Sequence, residues 1–285
     1  VCISVRNYEA RIGKKVYSRF SEAVVSAKTG EEVRLLKDIF PSEGIVAQNK
    51  EISINGQGHV IGRNSENAAN ALFRVAGGKV SVRNMILDGG AVWEGEEDES
   101  LKRGNTNTGL SARNALILVE NATLTIASDV ILRNNDNKNA TYRVSGGAMQ
   151  VTGNNSRIQF AGTMKDNASA AWGGAVMQTD NGQFIFDGGE VSGNQAGNSG
   201  AAFCMDHQSV LMINGGEIHN NKSSAEGGAV WISKGKAIFN SGKIQENQSR
   251  SGNLIYVKDT GSVEIGSIKA ENTDSVQKPG IIVNS

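Results

Sequence analysis

The sequence is poor in the residues that usually brace or cross-link a small domain. Prolines number two and cysteines two among 285 residues, and aromatic side chains make up 5%. A core built here must therefore be mainly aliphatic, and disulfides cannot dominate the fold. Cys2 and Cys204 stand far apart in the chain, so a bridge between them is not expected, and Cys204 reads as a buried or half-buried thiol. Lysine plus arginine equals aspartate plus glutamate at 29 each, which removes the basic footprint of a nucleic-acid binder or of a protein drawn to anionic membranes. No apolar run reaches the roughly 18 residues of a membrane-spanning helix. The chain starts at Val1 rather than Met, and is expected to be a fragment of a larger protein whose targeting signals lie elsewhere.

Glycine is abundant, at 35 residues, and its placement is periodic. Gly146-Gly147-Ala148-Met149, Gly173-Gly174-Ala175-Val176, Gly200-Ala201-Ala202-Phe203 and Gly227-Gly228-Ala229-Val230 begin 27 residues apart each time. A spacing that regular signals stacked structural repeats. After each copy comes a segment with alternate apolar residues: Ile158/Phe160, Phe184/Phe186, Leu211/Ile213, Ala237/Phe239 and Val263/Ile265. Period two is the mark of a strand with one buried face. A shorter segment follows, with one apolar residue at Met164, Val191, Ile218 or Ile244, closed by Asn167, Asn194, Asn221 or Asn247. Stacked asparagines can bond to one another, and asparagine is expected to supply the left-handed residue of the corner.

The earlier part of the chain carries similar short strands: Val33–Leu36, Ile52–Ile54, Leu72–Val75, Val80–Val82, Met85–Leu87, Leu116–Val119, Leu124–Ile126 and Val130–Leu132. Ahead of them, residues 18–30 read as one short helix, capped by Ser18 and ended by Gly30, with Phe20, Ala23, Val24 and Ala27 on one face. Three strands per repeat without an intervening helix predict an all-β, right-handed parallel β-helix of about 27 residues per rung. The expected organisation is a single domain over 1–285, with a capping helix at 18–30 and rungs from 33 to 285.

The Gly-Gly-Ala-apolar pattern, preceded by an apolar-x-x-Asn element such as Ile218-His219-Asn220-Asn221, resembles the repeats of chlamydial polymorphic outer-membrane proteins. More broadly it is similar to autotransporter passenger domains and to pectin-lyase-like bacterial surface proteins. The likeness covers roughly residues 146–250, and the Phe20–Asp38 stretch resembles the helix-plus-strand start of such proteins. What the resemblance implies is a secreted or surface-displayed adhesin-like module that binds a host protein or glycan.

Function is expected where the period fails. Two insertions, Gly89–Asn114 and Asn134–Ser145, each follow a third strand and precede a first strand, so both should leave from one corner on adjacent rungs; Arg63–Asn70 is a shorter counterpart one rung earlier. The first holds Trp93, Glu94, Glu96, Glu97, Asp98 and Glu99, then Lys102 and Arg103; the second holds Asp136, Asn137, Asn139, Tyr142 and Arg143. The candidate ligand-binding residues are Trp93, Glu94, Glu97, Asp98, Asp136, Asn137, Tyr142 and Arg143. Clustered carboxylates can ligate calcium and an aromatic can hold a sugar ring, but a solvated acidic loop accounts for the same composition, and EF-hand spacing is missing. No cofactor and no metal site is expected.

An enzyme of the polysaccharide lyase or glycoside hydrolase kind is the alternative. It would draw on Asp88, Asp136, Asp180 and Asp187 with His59, His207 or Arg143, although the residue series of polygalacturonases is missing. A third expectation is partner contact through an outward stripe of Ile185, Met212 and Ile238.

Overall fold

The computed structural model describes residues 7–64, 66, 69–90, 114–138, 145–252 and 254–266, with the backbone alone at 269–271 and 281–283. Within them the chain is nearly all β, and its strands lie parallel in stacked sheets of 18, 8 and 4 strands, an arrangement compatible with a parallel β-helix. Each strand pairs with its counterpart in the next repeat. Met149 is in register with Val176, Val176 with Phe203, and Phe203 with Val230. Along the second set, Ile158, Phe184, Leu211 and Ala237 align in turn.

The inward rows are the alternate apolar positions. Ile158, Phe160, Phe184, Phe186, Leu211, Ala237 and Phe239 are at 0% exposure. Phe160, Phe184, Phe186 and Phe203 form a ring stack, with centroid separations of 5.4 to 6.2 Å. That geometry suits offset and edge-on aromatic contact. The row fails at its last member: Val263 is only partly buried and Ile265 is 49% exposed. The physical reason is stacking. No described strand follows Ser262–Ile265 in its set, whereas Ile255–Lys258 is still covered by Ile281–Val283.

A fourth, two-residue strand extends the expected three. Ala168–Ser169, Gln195–Ala196, Lys222–Ser223 and Gln248–Ser249 form the small sheet just after the asparagine corner. Two residues are too few for any periodic signal. In the early part, the segments Leu72–Val75 and Val80–Val82 belong to one long strand, Phe73–Arg83, which pairs along its length with Ile45–Asn55. Both strands bend at the same level, where Gly77, Gly78 and Asn49 have φ of 69°, 75° and 51°. A Cβ on Gly78 would lie 2.2 Å from the Lys50 carbonyl oxygen, so the backbones can meet there only without one.

The N-terminal cap differs from its expected form. The helix is shorter, Phe20–Ser26, its N-cap is Arg19 rather than Ser18, and Ala27 already has extended backbone. Its first free amide, Phe20 N–H, donates to Glu9 Oε2 at 2.9 Å, and Lys50 Nζ donates to the Val25 and Ala27 carbonyls at the other end. The expected face is correct: Phe20, Ala23, Val24 and Ala27 are buried. A hairpin of Ala10–Ile12 and Lys15–Tyr17 lies antiparallel on Glu32–Leu35, the first strand of the stack. Reversed strands give the edge a partner that does not propagate the parallel register, which guards it against further pairing.

Candidate functional site: the corner where the period breaks

Asparagines line one corner of the stack. Asn167, Asn194 and Asn221 are at 0% exposure and Asn247 at 4%. Asn167 Nδ2 donates to Asn194 Oδ1 at 3.0 Å, Asn194 Nδ2 to Asn221 Oδ1 at 2.9 Å, and Asn221 Nδ2 to Asn247 Oδ1 at 2.8 Å. The backbone N–H groups of the same three residues donate to the same oxygens. The left-handed residue is not the ladder asparagine itself, as expected, but the one before it: Asp166, Gly193, Asn220 and Glu246 have φ of 52° to 64°. The turn is made first, and it aims the amide of the following residue inward.

The ladder reaches one member further than its 27-residue period suggests. Asn135 N–H donates to Asn167 Oδ1 at 3.2 Å, and Asn135 Nδ2 donates to the carbonyls of Asn114 at 3.0 Å and Gly147 at 2.7 Å. Asn114 is where the first insertion rejoins the stack, and Gly147 follows the end of the second. The first insertion departs beside the same residue: Gly89 N–H donates to the Arg133 carbonyl at 2.8 Å, and a Cβ on Gly89 would sit 2.3 Å from Asn135 Cα. Arg63 does a similar task one layer earlier. Its Nη1 donates to the Asn70 carbonyl at 2.5 Å and its Nη2 to that of Ala115 at 3.0 Å. Burial pushes the Arg63 guanidinium down to about 10.

Beneath these roots lies a buried ion pair. Arg133 and Asp88 are in register on adjacent strands, and Arg133 Nε donates to Asp88 Oδ2 at 2.8 Å with both side chains at or below 10% exposure. Asp88 Oδ1 accepts the Gly90 N–H at 2.8 Å. Burial raises the Asp88 carboxyl, opposed by Gly90 and Arg133. Residues 63, 88–90, 114–115 and 133–137 therefore form a built base from which both long segments leave and to which both return.

Of the expected ligand-binding residues, Trp93, Glu94, Glu97, Asp98, Tyr142 and Arg143 lie outside the described residues. Asp136 is half-buried; its Oδ1 accepts the Lys138 N–H, and Oδ2 lies 3.7 Å from Lys138 Nζ. Asn137 is at 0% exposure, and its Oδ1 accepts the Ala170 N–H at 3.0 Å, which makes it part of the scaffold. Sequence reasoning missed Arg63, Arg133 and Asn135. Only Asn135 carried a signal, an asparagine at the offset of the later corners.

The expected enzyme groups that are described stand at several places in the stack. Asp180 is nevertheless within electrostatic reach of His207, and Asp88 is tied through Arg133 to the neighbourhood of His59. Asp180 accepts Thr152 Oγ1 at 2.5 Å and Thr179 Oγ1 at 2.9 Å, and these bonds hold its carboxyl below the usual range. Asp187 accepts Gln159 Nε2 and Asn214 Nδ2, and so braces a turn. His207 faces Asp206, and His59 faces Asp38. Ile185, Met212 and Ile238 do align across three strands and are half-buried, bounded in register by Gln159 and Glu264. On the outer face of the neighbouring set, Cys204 lies between Met177 and Trp231 as a fully buried free thiol. Burial, then Asp206, pushes its pKa up, which disfavours the thiolate.

No helix of the described residues is long and apolar enough to cross a membrane. No protein-family model matches the chain, and no curated protein and no solved structure matches it.

Proposed function

We propose that the chain is a right-handed parallel β-helix of about 27 residues per rung, acting as an extracellular or cell-surface, adhesin-like module. On this reading it binds a host protein or glycan through the segments that interrupt the repeat. The observation that supports it most is the tie made by Asn135, which joins the start of one insertion to the return points of both. A rigid scaffold that gathers long segments at one place is a common way to present a binding surface. Their composition adds to this, with an aromatic and five acidic residues from Trp93 to Glu99 and a Tyr-Arg pair at 142–143. The Gly-Gly-Ala repeats, resembling those of bacterial surface proteins, favour display outside the cell.

The test replaces residues 91–113 and 139–144 with short Gly-Ser links, singly and together, and compares binding to panels of host proteins and glycans. Loss of binding with retained thermal melting supports the reading, and unchanged binding by both deletions sinks it. Depolymerisation of an acidic polysaccharide by the intact chain would instead favour the lyase or hydrolase alternative.

A further inference from the structure

On the outer face of the third strand set, toward the N-terminal end, an open notch of about 580 Å³ is lined by Lys37, Asp38, Gly58, His59, Val60, Ile86 and Arg133. Every one of these residues belongs to the described scaffold, so the notch exists independently of the insertions.

Its groups are arranged rather than scattered. Asp38 Oδ1 accepts the Val60 N–H at 3.0 Å and lies 3.1 Å from His59 Nδ1, and Nε2 of the imidazole has no partner among the described residues. In the neutral ring that nitrogen is an acceptor, and in the charged ring a donor, so either form can meet a hydroxyl. Arg133 has its side chain 7% exposed, and its Nε bond to Asp88 is the only side-chain hydrogen bond it makes among the described residues. Asp88 therefore restrains the guanidinium at Nε, and neither terminal nitrogen has a hydrogen-bond partner among the described residues, in a residue that lines the notch. Lys37 makes no hydrogen bond or ion pair among the described residues and adds a second cation. Val60 and Ile86 give the notch an apolar surface.

A guanidinium restrained at Nε, with terminal nitrogens that have no partner among the described residues, can match a planar carboxylate in two parallel hydrogen bonds. The Asp38 carboxylate in the same notch disfavours a multiply charged anion such as phosphate, and suits a ligand that brings hydroxyl donors of its own. We propose that this notch binds a small hydroxy acid, with its carboxylate on Arg133 and Lys37, its hydroxyls on His59 and Asp38, and its carbon skeleton against Val60 and Ile86.

Titration of the full chain with D-gluconate, sorbitol, acetate and inorganic phosphate, followed by calorimetry and by the His59 imidazole NMR signals, tests this. Gluconate should bind in the millimolar range and shift those signals, whereas sorbitol, which lacks the carboxylate, and acetate, which lacks the hydroxyls, should each bind more weakly. Lys37→Ala and His59→Ala, both made on partly exposed side chains so that folding is retained, should each weaken gluconate about five- to tenfold. Arg133→Lys tests the fork, and should weaken gluconate further while a melting curve reports on folding. Silence of the His59 signals toward gluconate overturns the proposal, as do phosphate binding tighter than gluconate and equal affinity in the Lys37 and His59 variants.

Discussion

Gln178 lies in register with Met205 on the next strand, and both are at 0% exposure. Its row is otherwise apolar: Val119, Val151, Met205, Ile232 and Val257 occupy the same inward position in the layers around it. Neither Nε2 nor Oε1 of Gln178 has a hydrogen-bond partner among the described residues. An amide buried in that way costs more than the apolar side chain it replaces. Gln178→Met, close in volume and matched to its neighbour, should raise the unfolding free energy by about 1–3 kcal/mol in urea with an unchanged m value. Destabilisation would show that the amide is held by a buried water.

Asn194 is the opposite case, a buried amide fully used. It donates to Met164, Ser192 and Asn221, and its oxygen accepts from Asn167. Asn194→Ala should cost about 2–4 kcal/mol, because several buried groups lose their partner at once. Asn154→Ala, which breaks only an exposed 3.1 Å bond from Asn181, should stay within about 0.5 kcal/mol. Paired denaturation curves separate the two.

Two glycines make a similar contrast. A Cβ on Gly174 would lie 2.5 Å from the Ala201 carbonyl oxygen, whereas one on Gly188 would meet nothing within 4 Å. Gly174→Ala should lower stability by about 1–3 kcal/mol by forcing adjacent layers apart. Gly188→Ala should be neutral or slightly stabilising, through the unfolded chain alone.

The Thr152–Asp180 bond predicts an acid effect. Asp180's carboxyl is lowered, first by Thr152 and then by Thr179. A lowered folded-state value means that its stabilisation is present above the unfolded carboxylate value of about 3.9 and is lost as pH falls through the folded one. Thr152→Val should therefore be destabilised relative to the parent at neutral pH, and the gap should narrow as the medium is acidified below about pH 4. Thermal melts across that range measure it. A gap independent of pH would mean that Asp180 is not the acceptor that matters.

Much of the stack was legible because its signals repeat. The inward rows through Phe184 and Phe186, the helix face of Phe20, Ala23 and Val24, and the corner asparagines all follow from spacing. The parts that escaped are local or singular. The hairpin Ala10–Ile12 with Lys15–Tyr17 has three residues per strand, too few to show a period. Arg63 and Arg133 look in sequence like any surface arginine, and only the carbonyls and carboxylate gathered around them in space account for their burial. The Asn-x-Ser triplets at Asn167, Asn221 and Asn247 show the converse: in sequence they match a glycosylation acceptor, but in the folded chain each amide is enclosed in the ladder.

The ladder also has a direction. From Asn167 to Asn221 each amide nitrogen donates to its C-terminal neighbour, and from Asn247 back to Asn167 each amide oxygen accepts from the N-terminal one. Aligned bonds polarise one another, so the column behaves as a small oriented dipole laid along the stack. Its oxygen terminus is Asn167 Oδ1, which accepts the Asn135 N–H, and Asn135 is the residue against which Gly89 packs at the start of the first insertion. The column thus turns its negative end toward Asn135, the residue whose side chain ties Asn114 to Gly147, so the part of the corner where the period breaks sits at the electronegative end of the ladder.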